Sequence, residues 1–353
     1  MSPLRVRSVL AAATLLLTLQ ASATPAAASP LQSRAVWVGQ PPGTATPAQL
    51  AAEGKTAGVT TVFVKAAEGT TPEPGFTPSY VAALRAQGVS VCAWTFAYGA
   101  DPVGEAAAAV AAARAGAQCL VVDAEGQYDK RYAAAQVYVH ALRAQLGASF
   151  PLGLAGQAEV AEHPTFPYSV FLGPGGFDLD MPQVYWRDLG LSVSAALSAS
   201  IGESAWYGRA IAPVGQLYGG VSASELTAFV EEASSDRAAG LSFFDLEAQA
   251  PSALAAALAA PVPKKRRRVK LATVRPGADG DEVLWAQEHL DGAGARLPIG
   301  GYYGAQTARA VASFQRRRRL RASGMLDDGT WRALLKVRPR IPSWAKAAPQ
   351  SAR

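Results

Sequence analysis

Between residues 31 and 260, short β-branched or aromatic runs alternate with Ala-rich stretches of helical period, and this alternation limits the fold of the 353-residue chain more than any other feature. Strand candidates lie at 35–39, 61–65, 90–96, 119–123, 152–155, 180–185, 211–215 and 241–245. Helical stretches separate most of them, most clearly at 105–115, 131–146 and 222–234. Strand, helix, strand in succession implies parallel strands joined by crossover helices. Eight such strands in a stretch near the usual ~250 residues predict an α/β fold, a (β/α)8 TIM-like barrel. An open doubly wound sheet is the alternative, and it would want a Gly-rich phosphate loop after its first strand. That position reads Val38-Gly39-Gln40-Pro41-Pro42-Gly43, which lacks the G-x-G-x-x-G spacing.

Ahead of the barrel, Arg5 and Arg7 precede an apolar run at 9–19 and the small-residue exit Ala21-Ser22-Ala23. A basic start, an apolar middle and a small-residue exit make a secretory signal peptide. The apolar run is shorter than the ~20 residues a lone membrane helix needs. Residues 1–28 are therefore expected to be removed, leaving a secreted, extracellular protein with no integral membrane span. Behind the barrel, residues 261–275 carry Pro261, Pro263 and the run Lys264-Lys265-Arg266-Arg267-Arg268, and read as a solvated linker. Residues 339–353 read as a disordered tail.

The formal charge of +6 gathers at 264–270 and 316–319. An exported basic protein adheres to anionic polymers such as those of a cell wall; the export signal argues against nucleic acid. The three histidines, His140, His163 and His289, are scattered, so neither a metal site nor a cofactor is expected. Cys92 and Cys119 fall on neighbouring predicted strands. After export they could pair, but two buried thiols are the favoured reading, because neighbouring parallel strands rarely meet disulfide geometry.

Two predicted strands end in carboxylates: the second, at Lys65-Ala66-Ala67-Glu68, and the fourth, at Asp123-Ala124-Glu125. In a parallel barrel the C-terminal strand ends form the active face. Residues i and i+2 of a strand share a side, about 7 Å apart at ~3.3 Å per residue, so Asp123 and Glu125 can enter one pocket. Glycoside hydrolysis needs such a pair, with one acid protonated and its partner ionised. Glu125 is the expected acid and Asp123 the expected ionised partner. Glu68, Trp94, Tyr98, Gln183, Tyr185, Trp186 and Asp245 are the expected substrate-binding residues, because they end other strands and supply aromatic faces or polar heads.

Residues 276–338 form a third piece with three stretches of helical apolar spacing, and three short helices around one small core are expected. Thr307 and Thr330 stand where helix starts need caps. Gly280-Asp281-Glu282-Val283, Gln287, Leu290, Gly301-Tyr302-Tyr303-Gly304-Ala305-Gln306-Thr307, Ala310-Val311, Phe314-Gln315, Gly324, Gly329-Thr330-Trp331 and Leu334 together resemble the peptidoglycan-binding domain type 1 family. That resemblance implies non-covalent binding to wall glycan or stem peptide. Ala286 and Asp327 depart from the family's usual Leu and Gly. The run at 316–319 is either a contact for an anionic wall polymer or a solvated helix face.

The barrel resembles glycoside hydrolase family 25, the muramidase-type lysozymes. The likeness is carried by Phe63-Val64-Lys65-Ala66-Ala67-Glu68-Gly69-Thr70, Asp123-Ala124-Glu125 and Phe243-Phe244-Asp245. It implies cleavage of peptidoglycan glycan strands. The family carries an Asp on its first strand, where this chain reads Ala35-Val36-Trp37-Val38-Gly39. Its third strand often reads Tyr-His-Phe, where this chain has Trp94-Thr95-Phe96. A binding-only barrel that holds wall polymer without cutting it is therefore the alternative, and a glycosidase for another glycan is a third reading.

Overall fold

The computed structural model describes residues 29–39, 46–246, 251–259 and 266–346. The expected signal peptide at 1–28 lies outside them. Eight parallel strands form the barrel. They are β1 (Arg34–Val38), β2 (Thr61–Glu68), β3 (Ser90–Ala97), β4 (Leu120–Ala124), β5 (Leu152–Ala155), a split β6 (Leu179–Asp180 and Gln183–Val184), a split β7 (Ala210–Ile211 and Val214–Gln216) and β8 (Leu241–Phe244). Pro182 and Pro213 interrupt β6 and β7, because proline has no N–H to give the ladder. The first half of β6 pairs with β5 and with the first half of β7. The second halves of β6 and β7 pair with each other, and β7 then pairs with β8. Pairing of β8 with β1 closes the ring.

Helices cover the outside: α1 (Pro47–Thr56), α2 (Pro78–Ala86), α3 (Pro102–Arg114), α4 (Tyr132–Leu146), α5 (Tyr168–Leu172), α6 (Val193–Ser204), α7 (Ala223–Ser235) and α8 (Pro251–Leu258). The first three begin alike. Thr46, Thr77 and Asp101 each accept a backbone N–H, and proline follows at the first turn. Proline's fixed φ and missing N–H suit that position.

Inside the ring, alternate residues of each strand point to the axis. Trp37, Phe63, Cys92, Trp94, Cys119, Val121 and Met181 pack there as one cluster. Cys92 and Cys119 form a disulfide, which corrects the expectation of two free thiols. The physical reason is register. Ala93 pairs with Leu120, which sets the two cysteines side by side facing the axis, and their Cα atoms are 4.6 Å apart, within the range a disulfide spans.

The third piece folds as α9 (Asp281–Gly292), α10 (Ala305–Arg317) and α11 (Asp328–Leu334), with Val283, Leu290, Val311, Phe314, Trp331 and Leu334 buried between them. Thr307 and Thr330 are not caps. Gly304 occupies the cap of α10, and Thr307 lies inside the helix, where its hydroxyl accepts from Gln287 Nε2 at 3.0 Å. Asp327 caps α11 through Thr330 N at 2.8 Å, which gives the departure at 327 a structural use.

This piece is not held by a loose tether. Asp281 is fully buried, and its carboxylate accepts from Ser169 N and Oγ, both at 2.7 Å, and from the Tyr207 hydroxyl at 2.8 Å. The Trp285 indole N–H donates to Trp206 O at 2.8 Å, and Trp206 stacks near Trp331. Where a solvated linker is expected, Arg267 pairs with Asp236 and Glu232, Leu271 is buried, and Ala272 N donates to Gly202 O. Where a disordered tail is expected, residues up to 346 return to the barrel. Gln136 on α4 donates to Pro342 O and accepts from Ala345 N, and Trp344 packs on Tyr132 with ring centres 4.7 Å apart.

Candidate functional site

At the C-terminal mouth of the barrel, β4 carries Asp123 at its end and Glu125 one step past it; both are half-buried. The β6 side chain of Gln183 joins them. Its amide nitrogen donates to Asp123 Oδ1 at 2.9 Å and to Glu125 Oε1 at 3.0 Å. Ionised carboxylates can only accept, so two acids on one amide fix which end of Gln183 faces them. With one nitrogen between them, those two oxygens stand no more than about 6 Å apart.

Burial pushes the Asp123 carboxyl well above its ordinary value, and the nearby Glu125 charge adds to this; the Gln183 hydrogen bond and the Lys65 charge pull the other way. The sequence expectation made Asp123 the ionised partner. The Gln183 N–H and the Lys65 charge favour that ionised form, and burial opposes it.

The remaining expected residues divide. Tyr185 reaches the pair: burial raises its hydroxyl, and the charges of Asp123, Glu125 and Asp245 act on it too. Asp245, just past β8, faces the first strand; a Cβ built on Gly39 would sit 3.7 Å from its Oδ2. An acid thus stands beside the end of β1, where that strand itself has none. Glu68 accepts a hydrogen bond from the Tyr98 hydroxyl and pairs with Lys65 Nζ at 2.7 Å. Burial raises the Glu68 carboxyl, but those two hydrogen bonds and the Lys65 charge outweigh it and hold the carboxyl below its usual range. Tyr98 is exposed on the rim.

Two aromatic expectations fail. Trp186 is 1% exposed, packs on Phe229 and donates its N–H to Glu225. It follows the inward Tyr185 by one residue and so faces outward. Trp94 points inward, but one layer too deep: it is 5% exposed, and its N–H is taken by Val38 O at 3.0 Å. It forms the floor under the acids rather than a wall for a sugar.

Sequence reading passed over three contributors. Lys65 lies over the Trp94 ring, 5.1 Å from its centre, and its inward position follows from alternation with Phe63. Tyr218 packs on Tyr185 with ring centres 5.7 Å apart. Glu105 is 3% exposed and accepts the backbone N–H groups of Tyr98, Gly99, Ala100 and Asp101, which fixes the loop that presents Tyr98. Nothing local marks that role for Glu105 in sequence. Gly99 is required there, with φ 68° and the Tyr128 ring 2.9 Å from where a Cβ would stand. Among the described residues no group of three His, Cys, Asp or Glu could hold a metal ion.

Residues 279–334 match the putative peptidoglycan binding domain family, so the three-helix piece is a peptidoglycan-binding domain. A peptidoglycan-binding protein from Clostridioides difficile is 36% identical over 18% of this chain and 40% of its own length, with a TM-score of 0.18. This chain thus spans two fifths of that protein. Active domain 2 of a chitinase from Pyrococcus furiosus is 10% identical, with a TM-score of 0.50 over 64% of this chain and 92% of that one. A family 18 chitinase from Cycas revoluta gives the same identity and TM-score over 64% and 98%. No curated protein matches the sequence. The chitinase likeness shows a TIM barrel fold, and these neighbours lend no support to the expected likeness to family 25. No described helix is long and apolar enough to cross a membrane.

Proposed function

We propose that this protein is a secreted, wall-associated glycosidase that cuts the glycan strands of peptidoglycan. The observation that carries the reading is the Gln183 bridge, which holds Asp123 and Glu125 together at the mouth of a barrel joined to a peptidoglycan-binding domain. In this reading the pair carries one proton. As a sugar enters, Glu125 gives its proton to the leaving glycosidic oxygen. Asp123, ionised, stabilises the positive charge that grows at the sugar carbon; water then adds to that carbon and gives a proton back to Glu125. Asp245 adds negative charge from the β1 side. Glu68, Tyr98, Gln183 and Tyr185 supply polar contacts to the sugar.

Glu125→Gln is the test. It removes a general acid, worth roughly 10²–10⁴-fold in rate. Release of reducing ends from purified sacculi should fall by that much, while co-sedimentation with sacculi persists. Unchanged release would end the reading. A non-catalytic wall-binding barrel is the second reading, favoured by β1, whose inward positions are Ala35 and Trp37. It requires co-sedimentation with no new reducing ends from the parent protein.

A further inference from the structure

Beside the mouth, the barrel, the peptidoglycan-binding domain and the returning tail together enclose a cavity of about 300 Å³. Its walls come from segments far apart in sequence: Lys130 and Tyr132 after β4, Pro164 after β5, Asp279 and Leu284 of the domain, and Trp344 of the tail. The volume meets the lower limit for small-ligand sites, about 300 Å³. Glu125 and Lys130 are joined by one short turn, with Tyr128 N donating to Glu125 O and Lys130 N to Thr165 O. Five residues span at most about 17 Å, so Lys130 on the cavity wall stands within that distance of Glu125.

Its lining is mixed in a particular way. Tyr132 and Trp344 make an aromatic wall, and Leu284 and Pro164 add apolar surface. A cation and an anion stand on it, Lys130 and Asp279, and neither has an ion-pair partner among the described residues. The Trp344 indole N–H is buried without an acceptor. The wall is deliberately held, since both polar ends of the Gln136 amide are used to pin the tail that carries Trp344.

We infer that this cavity is a subsite for the peptide stem of the strand whose glycan lies over Asp123 and Glu125. The inference rests on the glycan reading for that alignment. A stem peptide leaves the glycan sideways, is short, and ends in a carboxylate; where it includes a diamino acid it also carries an amine. Lys130 matches the first charge and Asp279 the second, while the aromatic wall covers the aliphatic parts. A bare sugar chain would leave both charged groups unanswered.

Calorimetric titration of the full chain carrying Glu125→Gln tests this, with three probes: a disaccharide–tetrapeptide, the same disaccharide without peptide, and the disaccharide–tetrapeptide amidated at its terminal carboxyl. The peptide-bearing probe should bind about tenfold tighter than the bare disaccharide. Lys130→Asn and Trp344→Ala should each remove most of that gain, about fivefold or more, and leave bare disaccharide binding unchanged. Lys130 has φ 62°, a conformation Asn tolerates, so that variant stays folded even if loss of Trp344 loosens the tail. Amidation should mimic Lys130→Asn. Equal affinity with and without peptide overturns the inference, and so does a peptide gain that survives both variants, which would place the peptide on the domain's own surface. Because no turnover is read, a barrel that releases no reducing ends would fail the catalytic reading and leave this result intact.

Discussion

Gln183 is the side chain on which the acid pair depends, because its amide nitrogen donates to both carboxylates. Its N–H favours the ionised form of Asp123, so removing it lets burial and the Glu125 charge push that carboxyl higher still. Gln183→Ala should therefore lower turnover on sacculi by about 10–100-fold and move the acid limb of the pH–rate profile to higher pH. A purely structural role would lower the rate without moving the limb. Asp123 and Glu125 were legible in sequence because a spacing of two on a strand is geometry in itself. Trp186 was not: Pro182 hides the phase of β6, and one step of parity turns a sugar platform into core packing against Phe229. Trp94 has the right parity and the wrong depth, which the strand register decides and the sequence does not print.

Among the elements, α9 carries the seam between domain and barrel. Asp281→Ala would strand the Ser169 N–H and hydroxyl and the Tyr207 hydroxyl, each of which it now satisfies. Buried groups left unpaired cost about 1–3 kcal/mol, so a lower Tm by several degrees is expected in calorimetry. The same helix makes stability depend on pH. Burial, then the Asp281 charge, pushes Glu288 up to about 9; burial also takes Glu282 to about 7 and lowers His289 to about 4. Between about pH 4 and 6.5 the histidine opposes the acids, because the unfolded chain binds its proton and the folded one does not. Above about 6.5 the carboxyls act alone: the folded protein keeps protons that the unfolded chain has released, so stability falls as pH rises toward 9, by about 1.4 kcal/mol per unit for each proton. Glu288→Gln should flatten that fall in Tm measured from pH 6.5 to 9. The helix itself was legible from its apolar spacing. Its docking face was not, since Ser169 lies 112 residues upstream.

At the scale of the whole molecule, the eight-strand alternation was legible because parallel crossover units repeat one pattern. Ring closure through the two halves of β6 and β7, and the disulfide across β3 and β4, depend on register and were not. The Cys92–Cys119 link spans 27 residues, and closing a loop of that length stabilises by about 3–4 kcal/mol in the chain-entropy account. Reduction, or Cys92→Ala with Cys119→Ala, should lower the Tm markedly while leaving the isolated mouth residues in place. Export remains the expectation from residues 5–23, and amino-terminal sequencing of protein recovered outside the cell should begin between residues 24 and 29.

The buried seam at Asp281 and Trp285 has one more consequence. A grip hung on a loose leash lets a blade wander over everything within reach. Here the grip is bolted to the blade's housing, so under the proposed function each landing on the polymer sets the cut at one fixed offset and in one direction. Such a tool works as a gauge, and the lengths of the fragments it leaves should carry the imprint of that offset.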